Sequence, residues 1–420
     1  MSEAAFAPVT RDIALRMDVE DPLAAFRDRF VPTKEGELYM DGNSLGRQPK
    51  DAGDVVTQVL ADWRDGMILA WREWIRVPQR VGDAIAQSVV EAKPGEVIVG
   101  DSTSVNLYKA AAAAVGAQVG RRTLLTSDDN FPTDMYALQS LAAQHSLQLK
   151  VLHADPVEGL DLDVLRGALG ADVALLALSH VAYRSGALLD MTRVTRMAHD
   201  CGALVLWDVS HSAGSVRVPL ETSGADLAVG CTYKYLNGGP GAPSFVYVRA
   251  SQQQRLRQPL WGWFGHRDQF AMSDHFEPAT GIESFLVGIP AILSTAAIEP
   301  GVRCIAEAGV ERLQAKGQQL TGLIISLADA WLAPYGFSVA SPRDAARRGS
   351  HVTLKHPRAK EFVRALIKQN VTPDFRPPDM IRLGPAPLYT GFVDVWDAMR
   401  RLHDLAASMI DRSQGDMHSV

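Results

Sequence analysis

Lys234 stands between two tyrosines in Cys231–Pro243, "CTYKYLNGGPGAP", with three glycines and two prolines behind it. A lysine amine that is neutral at working pH is a nucleophile and condenses with a carbonyl to give a Schiff base. The commoner fate of a single lysine is to reach out to solvent. Three other groups of this kind follow apolar runs. "DSTS", Asp101 to Ser104, comes after "EVIVG" and opens a helical stretch. Small hydroxyls and free amides at a helix start suit a phosphate, and they suit a plain N-cap equally well. "DDNFPTD" comes after "RTLLTS". There Phe131 offers a flat face and Asp134 a charge, or the segment is only a polar loop with Pro132 at a helix start. Asp208 comes after "ALVLW", and His211 is three residues further on. An acid at the tip of a buried strand must be paired, capped or solvated. A carboxylate there can hold a proton on a pyridine nitrogen. A phosphate cup, an aromatic plate, an acid and a lysine together are what pyridoxal 5'-phosphate requires.

These residues need a scaffold that brings them to one edge. The middle of the chain supplies a pattern for it. "EVIVG", "RTLLTS", "LQLKVLH", "VALLALSHV", "ALVLWDVSHSAG" and "LAVGCTY" are strand-like runs, and helical stretches separate most of them. Strands apolar at nearly every position predict a mostly parallel sheet covered by helices on both faces, an α/β fold. Sites in such folds gather at the carboxyl ends of the strands. Near residue 295 the pattern changes to a largely helical stretch reaching about Leu332. After it come "FSVASP", "HVTLKHP", a helix over about 359–369, "VTPDFRPPDMIRLGP" and a last helix over about 392–409, a smaller α+β unit. A helix is also predicted from about Asp54 to Trp74. The expected organisation is an N-terminal segment 1–50 packing on the small domain, a large cofactor-binding domain 51–294 and a small C-terminal domain 295–420.

The 420 residues are 47% hydrophobic and 21% charged, an ordinary globular balance. A net charge of -6 gives no basic field for nucleic acid or an anionic membrane. No apolar run is long enough to suggest a membrane span. The start, "MSEAAFAPVTRD", has no basic n-region followed by an apolar core, so no secretory signal is expected. Cys201, Cys231 and Cys304 are widely spaced and make neither a disulfide framework nor a zinc spacing. A cytoplasmic location without a metal is the expectation.

The order and wording of the motifs resemble the fold-type I pyridoxal-phosphate enzymes, and most closely the kynureninase family. The resemblance spans nearly the whole chain. It rests on "YMDGNSLGRQP", "SVNL", "FPTD", "WDVSHSAG", "CTYKYLNGGPGAP", "WGWFGH" and "DFRPPDMIRLGPAPLY". It implies that Lys234 is the Schiff-base lysine and Tyr233 an acid beside it that reaches the phosphate. It implies Asp208 as partner of the ring nitrogen, with His211 near the cofactor. Thr103 and Ser104 become the first phosphate-side contacts, and Phe131, Pro132, Thr133 and Asp134 the ring contact. Ser179 becomes a further cofactor contact, and Trp263 reaches the phosphate of a neighbouring subunit's cofactor. Arg382 in "IRLGP" becomes the clamp on a substrate α-carboxylate, where a guanidinium fork fits bidentately. Trp71 and Gly288 are implied near the substrate ring. Ile289 departs from the family, which usually has Thr or Asn there, and an isoleucine cannot donate that polar contact. The implied reaction is hydrolysis of L-kynurenine, or its 3-hydroxy form, to anthranilate or 3-hydroxyanthranilate and L-alanine. The implied setting is tryptophan catabolism or NAD precursor metabolism, and the implied assembly a homodimer with the site between subunits.

Three rivals are open at this level. A class V aminotransferase or cysteine desulfurase shares the fold, but a desulfurase needs a nucleophilic cysteine on a mobile loop, and Cys304 in "GVRCIAEAG" reads as helix. "GNSLG", Gly42 to Gly46, fits the nucleophile-elbow pattern of serine hydrolases, which requires a strand, a sharp turn and a helix. A cofactor-free protein that keeps the fold is the third, and the intact Lys234 and Asp208 count against it.

Overall fold

The structure, a computed structural model, describes residues 9–417. Most of the opening stretch read for a secretory signal lies outside the described residues. The apolar runs form one seven-stranded sheet. Its strands lie in the order Val97–Val99, Phe245–Val248, Leu227–Gly230, Leu204–Asp208, Val173–Ser179, Thr123–Ser127 and Gln148–Leu152. All neighbours pair parallel except Phe245–Val248, which runs against both of its neighbours. Successive side chains of a strand point to opposite faces, so an all-apolar strand needs cover on both. Val205 and Trp207 pack into one core with Val97, Leu125 and Leu176. Leu204 and Leu206 pack into another with Ile98, Leu124 and Leu175. Only the edge strand Gln148–Leu152 shows most of its residues to solvent.

Six of the seven strands run the same way and deliver their following loops to one rim of this sheet. Ser179 and Asp208 are directly paired neighbours there, and Asp208 is paired with Val229. The loop 231–244 has a special task, because it reverses the chain between parallel Leu227–Gly230 and antiparallel Phe245–Val248. Gly239 at φ 88° and Gly241 at φ 73° occupy backbone conformations that a Cβ disfavours.

A second sheet has the order Asp374–Arg376, Met380–Leu383, Val352–Lys355, Ser338–Val339 and is antiparallel throughout. Helices Val310–Leu327, Ala359–Lys368 and Phe392–Met417 accompany it. Its core joins Leu320, Phe362, Ile381 and Phe392 to Ala14, Leu38 and Met40 of the N-terminal segment. The short strand Leu38–Tyr39 pairs parallel with Val371–Thr372. Helix Glu299–Ala308 instead seats Val302 and Ile305 in the core of the large sheet. The helix expected over 54–74 is interrupted: Asp51–Gly66 ends where Met67 adopts φ 47°, and a 3-10 turn Met67–Ala70 leads into Trp71–Trp74. Gly66, a weak helix former, sits at that break. Among the described residues, no helix is long and apolar enough to cross a membrane.

Candidate active site

The residues after the strands converge on one cavity. Lys234, Tyr233, Asp208 and His211 line it, with Ser179 beside them. Thr103, Ser104, Phe131, Thr133 and Asp134 close the large-domain side, and Arg382 enters from the small sheet. Pro132 begins helix Pro132–His145 and so aims the first turn that carries Asp134.

In the "DSTS" turn the cap and the cavity-lining positions fall to different residues. Ser102 is the N-cap of helix Thr103–Ala117, accepting from the Val105 amide. That leaves Thr103 and Ser104 lining the cavity at a helix start, where the first-turn amides lack intrahelical acceptors. This is a ready anion site. Asp208 accepts from the Ser210 amide at 2.8 Å, which fixes its carboxyl at the strand tip. Asp134 is 4% exposed, and its Oδ2 has no protein hydrogen-bond partner. Burial first, and then the Asp208 charge, push the Asp134 carboxyl well above the usual range. Asp208 is its neighbour in the cavity.

Lys234 Nζ lies 2.8 Å from His211 Nε2 and 6.0 Å from the centre of the Phe131 ring. Burial, and then the Lys234 charge, hold His211 well below its ordinary pKa. A neutral imidazole that accepts at Nε2 carries its proton on Nδ1. That Nδ1 is buried without a protein partner. Tyr233 is pushed up by the neighbouring Cys231 and then by burial, so its phenol keeps its proton. An anion site, a flat ring, an acid pair, an amine and two unpartnered buried polar atoms fit a phosphorylated pyridine carbaldehyde.

Trp71, Trp263, Gly288 and Ile289 do not line this cavity. Trp71 packs edge-on against Trp74, 5.7 Å away, and tilts against Phe264. Trp263 packs on Phe264 and Phe270. Gly288 and Ile289 line a neighbouring cavity that shares Thr103, Ser104 and Tyr233 with the first. Gly288 is exposed, and a Cβ there would meet nothing within 4 Å.

The structure adds residues that the sequence motifs left without a role. "GNSLG" is a strap and not an elbow. Gly46 donates its amide to Tyr233 O at 2.8 Å, and a Cβ there would lie 2.3 Å from Lys234 O. Ser44 Oγ accepts from Arg382 Nη2 at 2.9 Å. Arg376, Asp374 and Tyr183 gather around the same guanidinium. They stood in or near quoted motifs, but nothing in their spacing pointed inward. His351 is fully buried, its ring 5.5 Å from that of His211. Burial, and then the Arg382 charge, hold it well below its ordinary pKa.

Comparison with known proteins follows the same line. Residues 313–402 match the family model "Kynureninase C-terminal domain". A kynureninase from Pseudomonas fluorescens is 41% identical over 405 residues, 94% of this chain and 95% of the relative. One from Burkholderia pseudomallei (strain K96243) is 42% identical over 404 residues, again 94% and 95%. The chain belongs to the kynureninase family. Solved structures share the family's fold at low identity. An apo cysteine desulfurase from Thermococcus onnurineus NA1 has a TM-score of 0.80 at 19% identity, covering 91% of this chain and 98% of its own. A C-DES mutant with glycine covalently linked to its pyridoxal-phosphate cofactor has a TM-score of 0.79 at 17% identity, covering 90% and 99%. In this kynureninase-family chain no cysteine among the described residues is fully exposed. Cys231 and Cys304 are buried, Cys304 within helix Glu299–Ala308, and Cys201 is half-buried.

Proposed function

We propose that this member of the kynureninase family hydrolyses the side chain of L-kynurenine to anthranilate and L-alanine with pyridoxal 5'-phosphate, and accepts the 3-hydroxy form as a second substrate. The observation that carries the reading is the meeting of Lys234, the Asp134–Asp208 pair and Arg382 in one cavity, in a chain 41% identical to a curated kynureninase. When bound, pyridoxal 5'-phosphate supplies a carbonyl for amines and a ring that draws electrons from the attached carbon.

The chain's own groups do the rest. Thr103, Ser104 and the first-turn amides hold the phosphate, and Phe131, Thr133 and Ser179 confine the ring. The acid pair keeps a proton on the ring nitrogen. Lys234 Nζ, once free, takes the substrate α-proton, and neutral His211 orients it. Tyr233 keeps its proton and delivers it to the side-chain carbon released when water cleaves the Cβ–Cγ bond. Arg382 receives the α-carboxylate. The neighbouring cavity that holds Gly288 and Ile289 shares Thr103, Ser104 and Tyr233 with this one, which supports Gly288 on the substrate-ring side, with Ile289 withholding one polar contact.

The same proposal places the enzyme in the cytoplasm, in tryptophan catabolism or NAD precursor supply, and as a homodimer. Trp261, Phe270, Met272 and Ile289 are 66%, 65%, 70% and 60% exposed, apolar surface that supports a second copy as cover. Trp263 would then face the partner's cofactor phosphate. The chain divides into 1–50, 51–294 and 295–420, with helix Glu299–Ala308 bridging the last two. The test is a spectrum of the purified protein with the cofactor, before and after L-kynurenine. Anthranilate fluorescence rising together with L-alanine supports the reading, and intact kynurenine ends it.

A further inference from the structure

Arg382 is more fully engaged than a vacant clamp would be. Its Nη1 donates to Tyr183 O at 2.6 Å, and its Nη2 donates to Ser44 Oγ at 2.9 Å. The same Nη2 lies 2.6 Å from Asp374 Oδ2. With the Asn43 carboxamide turned so that both its ends are satisfied, its oxygen accepts from Arg382 Nε at 2.8 Å. A guanidinium has five N–H groups. One on Nη1, that on Nε and two on Nη2, to Ser44 Oγ and at 3.2 Å to the turned Asn43 oxygen, are taken, so only a single Nη1 hydrogen is left. A bidentate grip needs two adjacent donors. Arg382 alone does not present them in this arrangement.

Arg376 presents what Arg382 lacks. Asp374 and Arg382 are direct partners across the antiparallel ladder, and Arg376 lies two residues beyond Asp374, hence on the same face. Arg376 Nε reaches Asp374 Oδ2 at 2.6 Å, the same oxygen that Arg382 approaches. Its two amino groups make no hydrogen bond among the described residues, and its side chain is 29% exposed on the cavity wall. Asp374 thus sits between two guanidiniums, offsets their repulsion and aligns them.

We propose that Arg376 is a second carboxylate-binding residue of the site, and that the substrate α-carboxylate bridges its free amino edge and the remaining Nη1 hydrogen of Arg382. Asp374 is the positioning residue behind both. This rests on the proposed function only in taking the ligand to be an α-amino acid.

The test uses the cofactor-loaded protein and two matched amines, L-alanine and ethylamine, which differ by the carboxylate. Binding of each is read as the change in the cofactor's visible absorbance. The wild type is expected to prefer L-alanine. Arg376→Ala is expected to lower that preference about tenfold to a hundredfold, the worth of a charge-assisted hydrogen bond, with ethylamine binding unchanged. Arg376→Lys keeps part of it. A retained cofactor spectrum shows that the variants have folded. An undiminished preference in Arg376→Ala overturns the inference, and so does a wild type with no preference. A preference that Arg376→Ala removes, in an enzyme that leaves kynurenine intact, overturns the proposed function and keeps the inference.

Discussion

Asp134 and Asp208 are neighbouring buried carboxyls in one cavity, and burial raises the Asp134 pKa. Asp134 is the one pushed up, so it acts as a neutral hydrogen-bonding group beside Asp208. Asp134→Asn therefore replaces a neutral carboxyl by a neutral amide. It should leave cofactor affinity nearly intact, whereas Asp208→Asn should weaken it about tenfold or more. Equilibrium dialysis of the cofactor separates the two, and equal losses would refute the division of labour. Lys234 makes a sharper demand. Lys234→Ala should abolish the visible absorbance of the lysine-linked cofactor, and a surviving band would mean that another amine holds it.

The N-terminal strap is the element on which the lysine loop leans. Gly46 is in it because there is no room for a Cβ: 2.3 Å separates that position from Lys234 O and from Asn237 Oδ1. Gly46→Ala must push the strap off the loop, and the Gly46 amide bond to Tyr233 O goes with it. Overpacking of this kind costs about 1–3 kcal/mol. Denaturant unfolding should show that loss, and cofactor affinity should fall with it, because the displaced backbone carries Lys234. A Gly46→Ala protein of wild-type stability would show that the contact yields freely.

Proton linkage belongs to the whole molecule. His180 is 3% exposed, lies edge-on to Trp207 and leaves Nδ1 without a partner. Burial lowers its pKa to about 4. A depressed folded-state pKa gives stability that is present above the unfolded value, about 6.5, and is lost as pH falls from there towards the folded value. From pH 7 to pH 5 this one residue should remove about 2 kcal/mol. His180→Phe keeps a ring against Trp207 and abolishes the titration. Its unfolding free energy should fall by about that much less over the same interval, and an identical pH slope in both proteins would exclude the linkage. Asp41 is raised to about 6 by burial and opposes the trend. The comparison of variant with wild type, and not the raw slope, is therefore the measurement.

Much of the site was legible because local rules wrote it. A strand buried on both faces must be apolar throughout, so each run announced itself, and a parallel sheet sends the residue after each run to one rim. Lys234, Asp208, Asp134 and Thr103 were singled out that way, while the reversal that holds the lysine came only from the strand pairing. The tertiary structure alone decided which hydroxyl caps and which faces the cavity, and that "GNSLG" is a strap. It alone engaged Arg382 with Ser44 and Asn43, about 340 residues away in sequence, and with Arg376 through Asp374. Such contacts have no period and no fixed spacing. Two sheets and a returning N-terminal segment had to pack before those side chains could meet.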